Sequence, residues 1–132
     1  MKICFDFDGV IHSFTSPWEN DDIILDEPTK GCKQSLDAIK ELGATIYIHS
    51  TRCHCSKGRN AIADYMVKHS LTYDEIVEHK PVADIYVDDR AVRFDNNWSE
   101  IFKTISKIGS SCQGDQVVTR EALNGIFAQE LK

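Results

Sequence analysis

The chain has 132 residues, 42% hydrophobic and 27% charged, with a net charge of −6; a domain of that length buries roughly two thirds of its unfolded surface and needs no disulfide or structural metal to fold. The acidic balance excludes broad, nonspecific binding to nucleic acid, which rests on Lys and Arg neutralising phosphates, although net charge is an average and allows a local basic pocket. No apolar run approaches the ~18 residues of a spanning helix, and Met1-Lys2-Ile3-Cys4-Phe5 meets Asp6 and Asp8 too early for a signal-peptide core. A cytosolic protein with no membrane partner is therefore expected. The five cysteines, Cys4, Cys32, Cys53, Cys55 and Cys112, are odd in number and read as free thiols.

Lys2–Phe7 is short, apolar and rich in β-formers, which predicts a buried first strand closed by a turn at Gly9. Residues 12–28 are polar and irregular, a loop or small flap with a short extended piece at Ile23-Ile24-Leu25. Thr29 is placed to cap a helix running to about Leu42, with Leu36, Ile39 and Leu42 at helical spacing and Gly43 as its stop. Ala44–Ile48 is a second apolar strand. Ser50–Arg59 is a polar loop, and Ser56 is placed to cap a helix with Ile62, Tyr65, Met66 and His69 on one face. Tyr73–Val77 holds a short third strand and Ala83–Val87 a clearer fourth, ending at Asp88-Asp89. Trp98, Ile101, Phe102 and Ile105 describe an amphipathic helix. Gly109-Ser110-Ser111 then reads as a linker to a last helix from Thr119, with Leu123, Ile126, Phe127 and Leu131 packing on the same domain or on another subunit of a homo-oligomer. The organisation expected is a body over residues 1–108 and a linker with a terminal helix over 109–132.

Alternating strands and helices predict an α/β fold, a single Rossmann-like parallel sheet with helices on both faces and no large cap domain. Such sheets bind ligands outside the carboxyl ends of their strands. Those ends would bring together Asp6 and Asp8 from the first strand, Ser50, Thr51 and Arg52 from the second, and Asp88 and Asp89 from the last, with Lys80 just before it. Several carboxylates in one place repel unless a cation sits among them, and an all-oxygen ligand set suits Mg²⁺. Arg52 and Lys80 would balance phosphate charge, and Ser50 would donate a hydrogen bond to a phosphate oxygen. A carboxylate can attack phosphorus to form an acyl phosphate, and a second acid two residues away can protonate the leaving oxygen and then activate water.

Asp6-Phe7-Asp8-Gly9-Val10 resembles the first motif of haloacid dehalogenase (HAD) superfamily hydrolases, Asp-x-Asp-Gly-(Thr/Val). Ser50 after Ile46-Tyr47-Ile48 is similar to the second motif, Lys80 with Pro81 to the third, and Asp88-Asp89 after Ile85-Tyr86-Val87 to the paired-acid form of the fourth. The match runs in order from residue 3 to about residue 95. The resemblance implies a Mg²⁺-dependent phosphomonoesterase. Asp6 would be nucleophile and metal ligand, and Asp8 general acid/base and a metal ligand through its backbone carbonyl. Ser50 and Lys80 would hold the phosphoryl group, joined on this reading by Thr51 and Arg52, while Asp88 and Asp89 complete the metal site. The spacings leave no room for a full cap, as in capless members. Ser50-Thr51-Arg52 and Asp88-Asp89-Arg90 also resemble runs in polynucleotide 3′-phosphatase domains, which turns the expected phosphorylated substrate toward a nucleotide or nucleic-acid end, with a small phosphorylated metabolite as the other class.

Blander readings stand beside these. Asp6, Asp8 and Gly9 are turn-formers, Ser50 and Thr51 are helix caps, and a lone Lys80 is a solvated side chain. Arg52 and Arg90 are evenly balanced between substrate contact and pairing with the acids. His12, His49 and His54 take loop or supporting roles, and Trp18 and Trp98 read as packing residues, with stacking of Trp18 on a base, from a loop placed to overhang the site, as the alternative. Cys53-His54-Cys55 lacks the usual spacer and a second ligand pair for zinc. A phospho-accepting receiver domain shares the fold and the residue types, but places its accepting Asp in mid-chain before the Ser/Thr and Lys. A non-catalytic HAD-fold binding module would not require intact Asp6, Asp8, Lys80 and Asp88. Transfer to an acceptor other than water, as in a mutase, stays open.

Overall fold

A computed structural model describes residues 1–113; the helix expected from Thr119 lies outside them. The elements are β1 (Lys2–Phe5), α1 (Cys32–Glu41), β2 (Thr45–Ile48), a short 3₁₀ turn (Thr51–His54), α2 (Ser56–Lys68), β3 (Glu75–Ile76), β4 (Ile85–Val87) and α3 (Trp98–Gln113). The four strands form one all-parallel sheet in the order β3-β2-β1-β4. The chain divides into two compact units, Met1–Arg90 and a second beginning at Ala91.

In the first unit the core is built from Ile3, Phe5 and Phe7, the β2 residues Ile46 and Ile48, Leu36 of α1, and Ile62, Tyr65 and Met66 of α2. The sequence reads β1 as two residues longer. The sheet pairing stops at Phe5, and Phe7 turns into the core to become fully buried while the chain bends away at Gly9. Helix α1 starts later than expected. Its N-cap is Gly31, in the left-handed region at φ 84°, and the Thr29 hydroxyl instead donates to the Val10 carbonyl, tying the start of α1 to the turn after β1. Helix α2 is preceded by Cys55, which makes no side-chain cap, so Ser56 is its first residue and not its cap. Ile23-Ile24-Leu25 carries no strand; the loop is held by an isolated antiparallel bridge between His12 and Pro28 and by side-chain contacts described below. Strand β4 is less buried than its apolar sequence suggests, with Ile85 and Tyr86 about half exposed, because it is the sheet edge.

Gly58 decides how α2 meets the 3₁₀ turn: a β-carbon there would collide with the Arg52 carbonyl oxygen. In the second unit, the Phe94 and Trp98 rings meet edge to face at 4.9 Å between centroids. The Asn97 side chain accepts from the Asp95 N–H at 2.9 Å and donates to the Arg93 carbonyl at 3.2 Å, ordering the entry to α3. That helix continues across Gly109-Ser110-Ser111, where a linker was expected. Among the described residues no helix is long and apolar enough to cross a membrane.

Strand order places the site. From β1 the chain builds outward to β2 and β3, and then returns to lay β4 on the other side of β1. The direction of winding therefore reverses between β1 and β4, and ligands of open parallel sheets bind at such a reversal.

Candidate functional site

Phe5 pairs with Ile48 on one side and with Val87 on the other. The three strands thus end level, and the next residues, Asp6, His49 and Asp88, emerge along one edge. The Asp6 N–H still donates to the Val87 carbonyl at 2.9 Å, so its backbone is held where its carboxyl leaves the sheet. Carboxylate oxygens of Asp6, Asp88 and Asp89 lie within 4.8 Å of one another, a group that can hold a metal ion. Burial pushes the Asp6 pKa up to about 6, and the charges of Asp88, Asp89 and Asp8 add to the rise against a lowering hydrogen bond from the Phe7 N–H. An unbalanced acidic cluster of this kind is what a hard divalent cation relieves. Gly9, at φ 86°, is required on two counts: its backbone is left-handed, and a β-carbon would run into the Asp89 carboxylate. Asp88 Oδ1 accepts from the Arg90 N–H at 2.9 Å and orders the turn after β4.

Asp8 points elsewhere. Its Oδ1 meets His12 Nδ1 at 2.9 Å and its Oδ2 accepts from Arg52 Nε at 2.8 Å. The other nitrogen of His12, Nε2, accepts the Asp26 N–H at 3.1 Å. An acceptor at Nε2 leaves the proton on Nδ1, so the neutral imidazole donates to Asp8. His12 is 2% exposed, and Asp26 is held in turn by the Ser16 hydroxyl and N–H and by Tyr65 Oη, which donates to the Asp26 carbonyl at 2.9 Å. Those Ser16 bonds hold the Asp26 pKa below its ordinary value.

Arg52, expected to balance phosphate charge, is 1% exposed. Besides Asp8 it reaches three loop carbonyls through Nη1, those of Asn20 at 3.0 Å, Asp21 at 2.8 Å and Ile23 at 3.0 Å. The Trp18 ring covers the guanidinium at 4.3 Å. One buried cation thus holds the flap and the second acid together. Ser50 is buried, and its Oγ accepts from the Arg52 N–H at 3.2 Å as cap of the 3₁₀ turn, which leaves its O–H to donate. Thr51 is exposed and lines a cavity of about 290 Å³ together with Asp8, Phe14, Trp18, Asp89 and Arg90. Lys80 is exposed, with Nζ 4.4 Å from the Tyr86 ring centroid. Its charge is felt at two residues of the neighbouring strand ends: burial pushes the Cys4 thiol up and Lys80 opposes it, and burial pushes the His49 pKa down with Lys80 adding to the fall.

The structure therefore brings together Asp6, Asp88 and Asp89 as one acidic group, and Asp8, Thr51 and Asp89 around one cavity. Sequence reasoning did not find the relay from Tyr65 through Asp26 and His12 to Asp8. Its available signal was the position of His12 one helical turn's spacing after Asp8, ahead of a flap rich in polar residues.

No known family profile matches the chain, and no curated protein does either. Among solved structures it is similar to a crystal structure of a protein from Vibrio cholerae, with 26% identity and a TM-score of 0.46 over 81% of this chain and 98% of that one. It is also similar to a chain of a Pnkp1/Rnl/Hen1 complex, with 19% identity and a TM-score of 0.46 over 87% of this chain. This chain spans about a third of the latter, 35% of its length. At these TM-scores neither likeness bears on function.

Proposed function

We propose that the protein is a Mg²⁺-dependent phosphohydrolase of the HAD type that works through a phosphorylated Asp6. The observation that carries this reading is the meeting of Asp6, Asp88 and Asp89 at the winding reversal of a parallel sheet, with a separately anchored Asp8 beside them. The donor set fits the metal, since all its atoms are carboxylate oxygens, and burial first, with the neighbouring carboxylates adding to it, raises the Asp6 pKa. Asp6, Asp88 and Asp89 would hold Mg²⁺ by their carboxylates and Asp8 by its backbone carbonyl. The bound ion would neutralise this cluster and the charge of the phosphoryl oxygens.

In the first step the Asp6 carboxylate attacks phosphorus and the bond to the leaving oxygen breaks; Asp8, whose two oxygens both accept hydrogen bonds here, first takes a proton from solvent and then gives it to that oxygen. In the second, Asp8 takes a proton from water, which attacks the phosphorus and releases phosphate and the Asp6 carboxylate. Ser50 and Lys80 hold the phosphoryl group, with Thr51 at the cavity wall. Arg52 and His12 act as positioning residues, because their contacts are to Asp8 and the flap. The cavity supports a substrate with a flat apolar group. Trp18 and Phe14 line it while 47% and 40% exposed, and the Trp18 ring is braced by Arg52, which favours a substrate that can stack, a nucleotide or nucleic-acid end.

The test is phosphate release from nucleotides, 3′- and 5′-phosphorylated oligonucleotides, sugar phosphates and p-nitrophenyl phosphate, with Mg²⁺, with chelator, and with Asp6→Asn. Turnover that requires both Mg²⁺ and Asp6 is expected. Turnover surviving Asp6→Asn, or none on any substrate from a folded protein, would overturn the reading.

A further inference from the structure

A second group of potential metal ligands lies away from the acidic cluster. His54 Nε2 is 2.8 Å from Asp21 Oδ2, and Cys55 Sγ is 3.9 Å from the same oxygen. All three ligand atoms lie within 4.8 Å of one another. The sequence offered Cys53-His54-Cys55 as an unconvincing pair of thiols, and the fold separates them. Cys53 is fully buried in the core, where burial pushes its thiol up. Cys55 turns outward at the start of α2, and the third partner comes from Asp21, more than thirty residues earlier in the flap.

We propose that Asp21, His54 and Cys55 form a binding site for a zinc-class cation, with water as fourth ligand on the solvent side, where His54 is 65% exposed. The donor chemistry selects the ion: one thiolate, one imidazole and one carboxylate suit zinc and exclude Mg²⁺. Around tetrahedral zinc such ligand atoms are roughly 3.3 to 3.6 Å apart, so the two separations to Asp21 need to change by about half an ångström, and His54 Nε2 and Cys55 Sγ, within 4.8 Å of each other, by at most about 1.2 Å. Charge also closes. The Asp21 carboxylate and a Cys55 thiolate balance a divalent ion, the thiol proton leaving to solvent as the metal binds. The loop also holds one unpartnered acceptor: Asp22 Oδ1 is buried without a hydrogen-bond partner, while its other oxygen pairs with Lys57 at 3.2 Å.

The site has a mechanical consequence. The carbonyl of Asp21 is one of the three that hold Arg52, whose Nε holds Asp8. Zinc at the Asp21 side chain would clip the flap to the start of α2 and stiffen the support of Asp8 from outside the cavity.

The test uses the full chain and Co²⁺ as a spectroscopic stand-in. One equivalent should give a thiolate-to-cobalt charge-transfer band and tetrahedral visible absorption, displaced by Zn²⁺ and unmoved by excess Mg²⁺. Cys55→Ser should abolish the band and weaken zinc binding by at least about 10- to 100-fold, the loss that follows removal of a group that merely orients a ligand. Asp21→Asn should weaken it too, whereas Cys32→Ser should leave it intact. Circular dichroism of each variant separates lost ligation from lost fold. Absence of the band in folded protein, or a band that survives Cys55→Ser, would overturn the proposal. The readout needs no turnover, so it succeeds or fails apart from the phosphohydrolase reading.

Discussion

Replacing Asp6 with Asn should make the metal-free protein more stable while abolishing its chemistry. The Asp6 pKa stands at about 6 against an ordinary 3.8, a rise of about 2 units, or about 3 kcal/mol held against the charged form at neutral pH. Asp88 and Asp89 are exposed and solvent screens their repulsion, so Asn should recover about 1 to 2 kcal/mol, keeping the acceptor for the Phe7 N–H. For a chain of this length that is about 3 to 8 °C in Tm. The sign follows from linkage. A raised carboxyl binds its proton in the native state first, so the penalty is full above pH 6 and is relieved as pH falls from 6 toward 3.8. Thermal melting in chelator should therefore show the variant ahead at pH 7.5 and the gap closing near pH 4. Mg²⁺ should raise the wild-type Tm and leave the variant nearly unmoved. A variant less stable than wild type in chelator, or a gap that does not depend on pH, would refute the picture of an Asp6 carboxylate disfavoured by burial and, to a lesser degree, by its acidic neighbours.

Three further outcomes follow from the same geometry. Arg52→Ala leaves Asp8 without its cation and three loop carbonyls without a donor, and should cost about 3 to 5 kcal/mol in urea denaturation, with Arg52→Lys recovering only part because one ammonium cannot span four acceptors. Gly9→Ala should lower Mg²⁺ affinity, measured by calorimetry, more than it lowers stability, because the added methyl displaces the Asp89 carboxylate. Trp18→Ala should raise KM for nucleotide substrates about tenfold and leave p-nitrophenyl phosphate turnover nearly unchanged, since stacking is worth about 1 to 3 kcal/mol per base; equal losses on both would remove the stacking role.

The parallel α/β architecture was legible because β1, β2 and β4 are continuous apolar runs and α1 and α2 carry helical spacing. Where the reading went astray, a local signal met a tertiary demand. Thr29 looks like a cap, but its hydroxyl is drawn to Val10. Gly109-Ser110-Ser111 looks like a linker, yet its low helix propensity is a small cost that α3 absorbs. The acids of the site were visible as residues that end strands. Arg52 was visible only as a charge, because burial and partners thirty residues away decide what a guanidinium does, and spacing carries no trace of them. Asp21 as a companion of His54 and Cys55 was hidden for the same reason.

The way Arg52 grips the flap sets which changes the chain can tolerate there. It binds only main-chain carbonyls at Asn20, Asp21 and Ile23, and every amino acid supplies one. What the grip demands is the path of the backbone, that is, loop length and turn shape. At Asn20 and Ile23, which meet Arg52 through the main chain, side chains can therefore drift, whereas Ser16, Trp18, Asp21 and Asp26 are tied by their own side chains, and an inserted or deleted residue would dislodge the acid at position 8. Variation in this segment should be rich in substitutions and poor in gaps.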